Sequence, residues 1–60
     1  MKGESKMYLV RLLNIYTDQT EAIIVYSPLP IGSVIGWGRD EHRSDKIARW
    51  TVQSCEEYHG

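Results

Sequence analysis

The sequence contains only one cysteine, Cys55, among its 60 residues. A disulfide within the chain is therefore excluded, and a lone thiol is more typical of a reducing compartment than of a secreted protein. No run of about 18 apolar residues is present, which excludes a transmembrane helix, and the polar residues 1–6 lack the apolar segment of a secretory signal. We therefore expect a soluble, cytoplasmic protein that does not contact a membrane.

The chain also lacks an excess of charge of either sign. Its seven Lys and Arg residues are opposed by eight Asp and Glu residues, which gives a net charge of −1. Nucleic acids and anionic membranes attract proteins with a clear positive excess, which this chain lacks. The soft metal-ligand side chains are His42, Cys55 and His59, and their spacing does not form the paired pattern of a structural zinc site. We expect no metal and no cofactor.

Size limits the organisation of the chain. Sixty residues make one domain at most, and a domain of this length buries only about 60% of its unfolded surface. Small domains are often stabilised by disulfides, metals or self-association. Since we expect neither a disulfide nor a metal here, self-association is the remaining means of stabilisation. We expect a disordered lead-in over residues 1–6 and a single small β domain over residues 7–58, which forms a homo-oligomer.

The segment around which we expect the fold to form is residues 7–16, MYLVRLLNIY. Its odd and even positions are both mostly apolar, which is typical of a central strand covered on both faces, by the rest of the domain or by a second copy. A helix is the alternative, because four apolar residues have i, i+3, i+4, i+7 spacing (Leu9, Leu12, Leu13, Tyr16). No N-cap precedes it, and the β-branched and aromatic content favours a strand.

A second strand is predicted over residues 21–26, EAIIVY. The polar residues 17–20 form a turn before it, so the first two strands make an antiparallel hairpin. Pro28 and Pro30 then end the strand, because proline fixes φ and cannot donate to a ladder. We expect Leu29 and Ile31, which lie in this connection, to fold back onto the core.

Two further strands are predicted, over residues 33–37 and 47–58. Gly36 indicates a bulge in the first of them, or the close approach of another backbone. In the second, alternation assigns Ala48, Trp50, Val52 and Ser54 to the core side and leaves Cys55 on the wet side. The polar residues 38–46 form an exposed loop, because a helix over residues 40–50 would have too few apolar residues for a packed face.

Four short strands with polar turns favour an all-β fold, either a small antiparallel sheet or an SH3-like, partly open barrel. The similarity to SH3-like barrels is one of strand order alone. Within the loop, Asp40, Glu41 and Asp45 are expected to be solvated, because paired carboxylates act in catalysis only where a pocket separates their pKa values. No set of nucleophile, base and metal is present, and we predict that the protein is not an enzyme.

The candidate contact surface combines aromatic and basic side chains around this loop: Trp37, Arg39, His42, Arg43, Lys46 and Arg49. Tyr, Trp and Arg are enriched in protein interfaces, and loops on a rigid sheet commonly carry binding. We therefore predict a non-enzymatic, intracellular protein-binding module, an adaptor or regulator like the short accessory proteins of bacteria or phages. The alternative is a small β-barrel that binds single-stranded nucleic acid by stacking beside a positive groove, although the local positive excess is small.

Overall fold

A computed structural model describes residues 6–59, so most of the predicted lead-in, residues 1–5, lies outside the described part. The chain forms four strands: β1 (Met7–Asn14), β2 (Thr20–Val25), β3 (Val34–Arg39) and β4 (Ile47–Tyr58). All neighbouring strands are antiparallel, in the order β2-β1-β4-β3, and the sheet curls into an open half-barrel. The predicted small all-β fold is confirmed. Residues 6–59 include no helix that could span a membrane.

β1 lies at the centre of the sheet, between β2 and β4, as predicted, and the helical alternative is wrong. On the concave face its residues Val10 and Leu12 are completely buried. On the convex face Leu9 and Leu13 are only half-buried, and Ile15, just past the strand, is 43% exposed. The chain therefore covers one face of its central strand and leaves the other partly open.

The core lies on the concave face and is small. Trp50 contributes its largest side chain, and Asn14 is buried beside it at the end of β1. Half-buried apolar side chains from all four strands and from the β2–β3 connection pack around it. Within residues 6–59 the buried apolar side chains are those of Val10, Leu12, Ala48, Trp50 and Val52.

The predicted alternation along β4 is wrong beyond Val52. Ser54 pairs with Arg11, but Val52 pairs with Leu12, so one extra residue of β4 bulges out between them. An extra residue reverses the facing of every side chain that follows it. Cys55 is consequently opposite Val10 and packs against the core, instead of lying on the wet side.

The connection from β2 to β3 only partly follows the prediction. Leu29 is half-buried and packs against the core, whereas Ile31 is 68% exposed, so its predicted burial is wrong. The reason is a tight turn: the Ser33 N–H donates to the Pro30 carbonyl at 3.3 Å, and Gly32 has a φ of 91°. Ile31 lies at the corner of this turn, where its side chain is directed away from the core.

β3 is longer than predicted and carries the expected irregularity. Gly36 pairs with Arg49 and Arg39 pairs with Ile47, so two residues of β3 lie opposite one residue of β4. The second of the two, Gly38, has a φ of 79°, a conformation that glycine adopts without a steric penalty. The bulge lies in β3 just before the polar loop 40–46.

Candidate functional site

One end of the half-barrel, hereafter the loop end, carries the turn 15–19 and the loop 40–46. They meet because Asn14 pairs with Trp50 of β4. The turn is held by Asn14, whose Oδ1 accepts hydrogen bonds from the Tyr16 N–H at 2.8 Å and the Thr17 N–H at 3.0 Å. The backbone N–H of Asn14 donates to the Gln19 carbonyl at 2.7 Å. A nearly buried amide therefore fixes one wall of the loop end.

The loop 40–46 is ordered by its own polar groups and is not a helix. The Asp40 carboxylate accepts a hydrogen bond from the His42 N–H at 3.0 Å, a local bond typical of Asp in turns. The Asp40 N–H donates to the Lys46 carbonyl at 3.3 Å, which closes the loop, and Lys46 has a φ of 60°. The prediction of a loop rather than a short helix is confirmed.

Each basic side chain at positions 39–49 lies beside a carboxylate of the same loop. Arg39 Nε is 2.6 Å and Lys46 Nζ is 3.4 Å from the Glu41 carboxylate. Asp45 contacts the guanidinium groups of both Arg43 and Arg49. Two carboxylates are thus shared by four cations, and with Asp40 included residues 39–49 keep a positive excess of only one charge, too small for an open basic groove.

Asp45 joins the loop to its surroundings. Hydrogen bonds from Arg49, from the Ile47 N–H and from Arg43 hold the pKa of the Asp45 carboxyl well below its usual range. The guanidinium carbon of Arg43 lies 4.6 Å from the centre of the Tyr16 ring, a cation–π contact. The loop 40–46 is in this way attached to the turn 15–19 across the convex side of the loop end.

Two tryptophans form a rigid pair on the other side. Trp50 is buried, and its Nε1–H donates to the Trp37 carbonyl at 2.7 Å. The Trp37 ring meets it edge to face, with centroids 5.8 Å apart and planes at 70°. Trp37 nevertheless remains 41% exposed, so it both packs against the core and presents an aromatic surface.

A pocket of about 290 Å³ opens between the turn and the loop. Ala48 and Trp50 form its apolar part. Asn14 also lines it, and within residues 6–59 the Asn14 Nδ2 has no hydrogen-bond partner, although it is not sealed from solvent. That amide donor is therefore available to a group that enters the pocket. The remaining lining residues are polar: Thr17, Gln19, Arg39, Asp40, Glu41 and His42.

The six predicted contact residues all lie at the loop end, but in different environments. Arg39 and His42 line the pocket, and Trp37 lies behind it against Trp50. Arg43 and Arg49 bind Asp45 instead, and Lys46 binds Glu41. The wall contributed by Asn14 and the turn 15–19, with Tyr16, Thr17 and Gln19, was not predicted from the sequence. The signal available in the sequence was a polar residue, Asn14, inside an otherwise apolar strand.

Another depression, of about 330 Å³, lies beside β2 and is lined by Arg11, Thr20, Glu21, Ala22 and Gln53. It contains no aromatic side chain, in contrast to the loop end. In the described part of the chain, no three His, Cys, Asp or Glu side chains are placed to hold a metal ion. The function has to be inferred from the loop end itself, because comparison with protein-family models, with curated proteins and with solved structures finds no match.

Proposed function

We propose that this chain is a non-enzymatic, intracellular protein-binding module, an adaptor or regulator, which contacts another protein through the loop end. The observation that carries the proposal is the state of Trp37, which is 41% exposed and yet fixed edge-on against Trp50. The intracellular location rests on the single cysteine.

Trp37 has the properties of an interface anchor. Tryptophan is the residue most often found at the few positions that dominate binding energy. Binding is weakened when side chains have to be ordered on association, and the edge-to-face contact with Trp50 restricts the Trp37 ring before a partner binds. A partner that covers Trp37 therefore gains apolar burial with little loss of side-chain entropy.

The pocket next to Trp50 adds polar specificity to this anchor. It offers donors from Asn14 and His42 and acceptors from Asp40 and Glu41, which suits a polar side chain or a peptide group of a partner. Among its charged lining residues, Arg39 and Glu41 form an ion pair with each other. Such a mixed lining with an aromatic floor is typical of protein recognition.

The alternative, binding of single-stranded nucleic acid, has less support. Stacking on Trp37 would be available, but a positive groove that follows the phosphates is also needed. Arg39 and Lys46 share Glu41, while Arg43 and Arg49 share Asp45. These pairs would have to separate before the cations could bind phosphate.

The test compares the wild-type protein with Trp37→Ala and Tyr26→Ala. Tyr26 is an exposed aromatic residue at the opposite end of the sheet, and so controls for general loss of aromatic surface. Each tagged protein is used to capture partners from cells of the source organism, and affinity for the purified partner is then measured by calorimetry. We expect Trp37→Ala to weaken binding by about 2 kcal/mol or more, the size of a hot-spot residue, and Tyr26→Ala to bind like the wild type.

Equal binding by Trp37→Ala and the wild type would reject the loop end as the contact surface. Thermal unfolding of each variant checks that the fold is kept, since Trp37→Ala removes one aromatic contact with Trp50, worth about 0.5–1.5 kcal/mol. A titration with single-stranded oligonucleotides is run in parallel. Affinity for them that falls steeply as salt increases would favour the nucleic-acid alternative instead.

A further inference from the structure

We infer that a second copy of this chain pairs with the outer edge of β2, antiparallel and centred on Ile23. The inference is independent of the proposed function, because this edge lies away from the aromatic pair of the loop end. An exposed strand edge presents unpaired N–H and C=O groups, which are a template for pairing with another strand. Proteins usually protect such edges with charges, prolines, bulges or glycines.

Residues 6–59 leave three stretches of strand edge without a partner, and two of them are protected. The edge of β3 is interrupted by a bulge and by Gly36 and Gly38. The part of β4 beyond Val52 carries Glu56 and Glu57. β2 has neither device: it pairs with β1 without a register shift, and its only charged residue is Glu21, near its start.

The hydrogen-bond pattern shows which groups of β2 are free. The Asn14 N–H donates to the Gln19 carbonyl, so these two residues form a hydrogen-bonded pair of the hairpin. Because bonded and non-bonded pairs alternate in antiparallel sheets, the odd-numbered residues of β2 bond to β1. The N–H and C=O groups of Thr20, Ala22 and Ile24 therefore point outward.

A two-fold axis at Ile23 uses the outward groups of Ala22 and Ile24. It brings Ala22 opposite Ile24 of the second copy, and Ile24 opposite the copy's Ala22, so that outward residues meet outward residues. It also places the two Glu21 side chains about 14 Å apart along the strands, from the rise of about 3.4 Å per residue. This is longer than the Debye length of about 8 Å at physiological ionic strength. A register two residues away, centred on Glu21, would bring the like charges face to face.

The same register continues both faces of the sheet. On the concave face Ile23 meets its own counterpart, next to the apolar core that it already borders. On the convex face Ile24, which is 43% exposed, meets the small side chain of Ala22. The pairing thereby covers apolar surface of a domain whose residues 6–59 include only five buried apolar side chains, and eight strands form one continuous sheet.

The test is sedimentation equilibrium over a wide concentration range, for the wild type and for three variants. Ala22→Pro removes one outward N–H without removing a hydrogen bond to β1, and Ile24→Lys adds a charge to the edge. Val34→Lys makes the matched change on the other edge strand, at an exposed valine. We expect a wild-type dimer whose dissociation constant rises about tenfold or more in the β2 variants, a change of about 1.4 kcal/mol, and stays the same in Val34→Lys.

The register is tested by Ile23→Cys in a Cys55→Ala background. Cα atoms of a non-hydrogen-bonded antiparallel pair are about 4.5 Å apart, within the range of disulfides, so mild oxidation should link two copies at position 23. Val25→Cys should not become linked, because in this register position 25 lies opposite position 21 of the second copy. A wild type that stays monomeric at the highest concentration would overturn the inference, and so would a dimer that only Val34→Lys dissociates. Disulfide linkage through position 25 instead of position 23 would overturn the proposed register.

Discussion

At the scale of single residues, Asp45 is the side chain with the most connections at the loop end. It accepts hydrogen bonds from Arg49, from the Ile47 N–H and from Arg43, which lower the pKa of its carboxyl. Through Arg43 it also connects the loop to the Tyr16 ring. A single carboxylate therefore holds the loop 40–46 against both β4 and the turn 15–19.

This arrangement predicts a pH dependence of stability. The Asp45 pKa is lower in the folded protein than the value of about 3.9 in an unfolded chain. Its stabilising effect is therefore fully present above the unfolded value and is lost as the pH falls toward the folded one. We expect Asp45→Asn to be less stable than the wild type at pH 7, and the difference to shrink as the pH is lowered below about 4, the unfolded carboxyl range.

Urea unfolding at several pH values between neutrality and strong acid measures this difference. Asp18→Asn is the matched control, because Asp18 forms no ion pair within residues 6–59 and Asn also tolerates its φ of 61°. A gap between Asp45→Asn and the wild type that is the same at every pH would show that the Asp45 charge does not hold the loop.

At the scale of strands, the close contact between β3 and β4 depends on Gly36. A Cβ atom at this position would lie 2.8 Å from Cγ2 of Ile47, which is too close for two carbon atoms. We expect Gly36→Ala to destabilise the protein by about 1–3 kcal/mol, the usual effect of overpacking. In an Ile47→Ala background the clashing methyl group is gone, and the same substitution should have little effect or stabilise the strand.

Chemical denaturation of the wild type, both single variants and the double variant gives the coupling energy of this pair. The Ile47→Ala variant serves as its own control, because Ile47 is partly exposed and its truncation alone should have a small effect. Additive effects of the two substitutions would mean that β3 and β4 separate slightly to accept the extra methyl group.

The strands themselves could be predicted from the sequence because their signals are local. The apolar run of β1, the β-branched residues of β2 and the two prolines after it each act on their own neighbours. The facing of Cys55 could not be predicted, because it depends on a bulge created where Leu12 and Arg11 pair with a strand some 40 residues later. Ile31 was misplaced for a similar reason, since its exposure follows from a turn around Gly32.

The candidate site shows the same division at the scale of the molecule. Trp37 and the basic residues could be found from composition, because they lie close together in the sequence. The pocket could not, since Asn14 reaches it only through the pairing of β1 with β4. The sequence likewise contains the carboxylates of the loop, but it does not say that Glu41 and Asp45 each contact two cations.

At the scale of the whole molecule, the fold of residues 6–59 depends on very few buried side chains. Leu12 is completely buried at the centre of the concave face, paired with Glu21 on one side and Val52 on the other. Truncation of a buried leucine to alanine destabilises a protein by about 2–5 kcal/mol. A chain of 60 residues has a total stability of only about 3–9 kcal/mol at typical values per residue.

We therefore expect Leu12→Ala to lose a large part of this stability and to unfold at a much lower urea concentration than the wild type. Ile31→Ala, which removes a leucine-sized side chain at a largely exposed position, should change stability by no more than about 0.5 kcal/mol. The fluorescence of the buried Trp50 reports unfolding in urea, measured at one low protein concentration so that any association affects all samples equally. If Leu12→Ala proved as stable as Ile31→Ala, the concave face would not be the core that holds the four strands together, since the sheet would then be stabilised mainly by the apolar residues of its convex face.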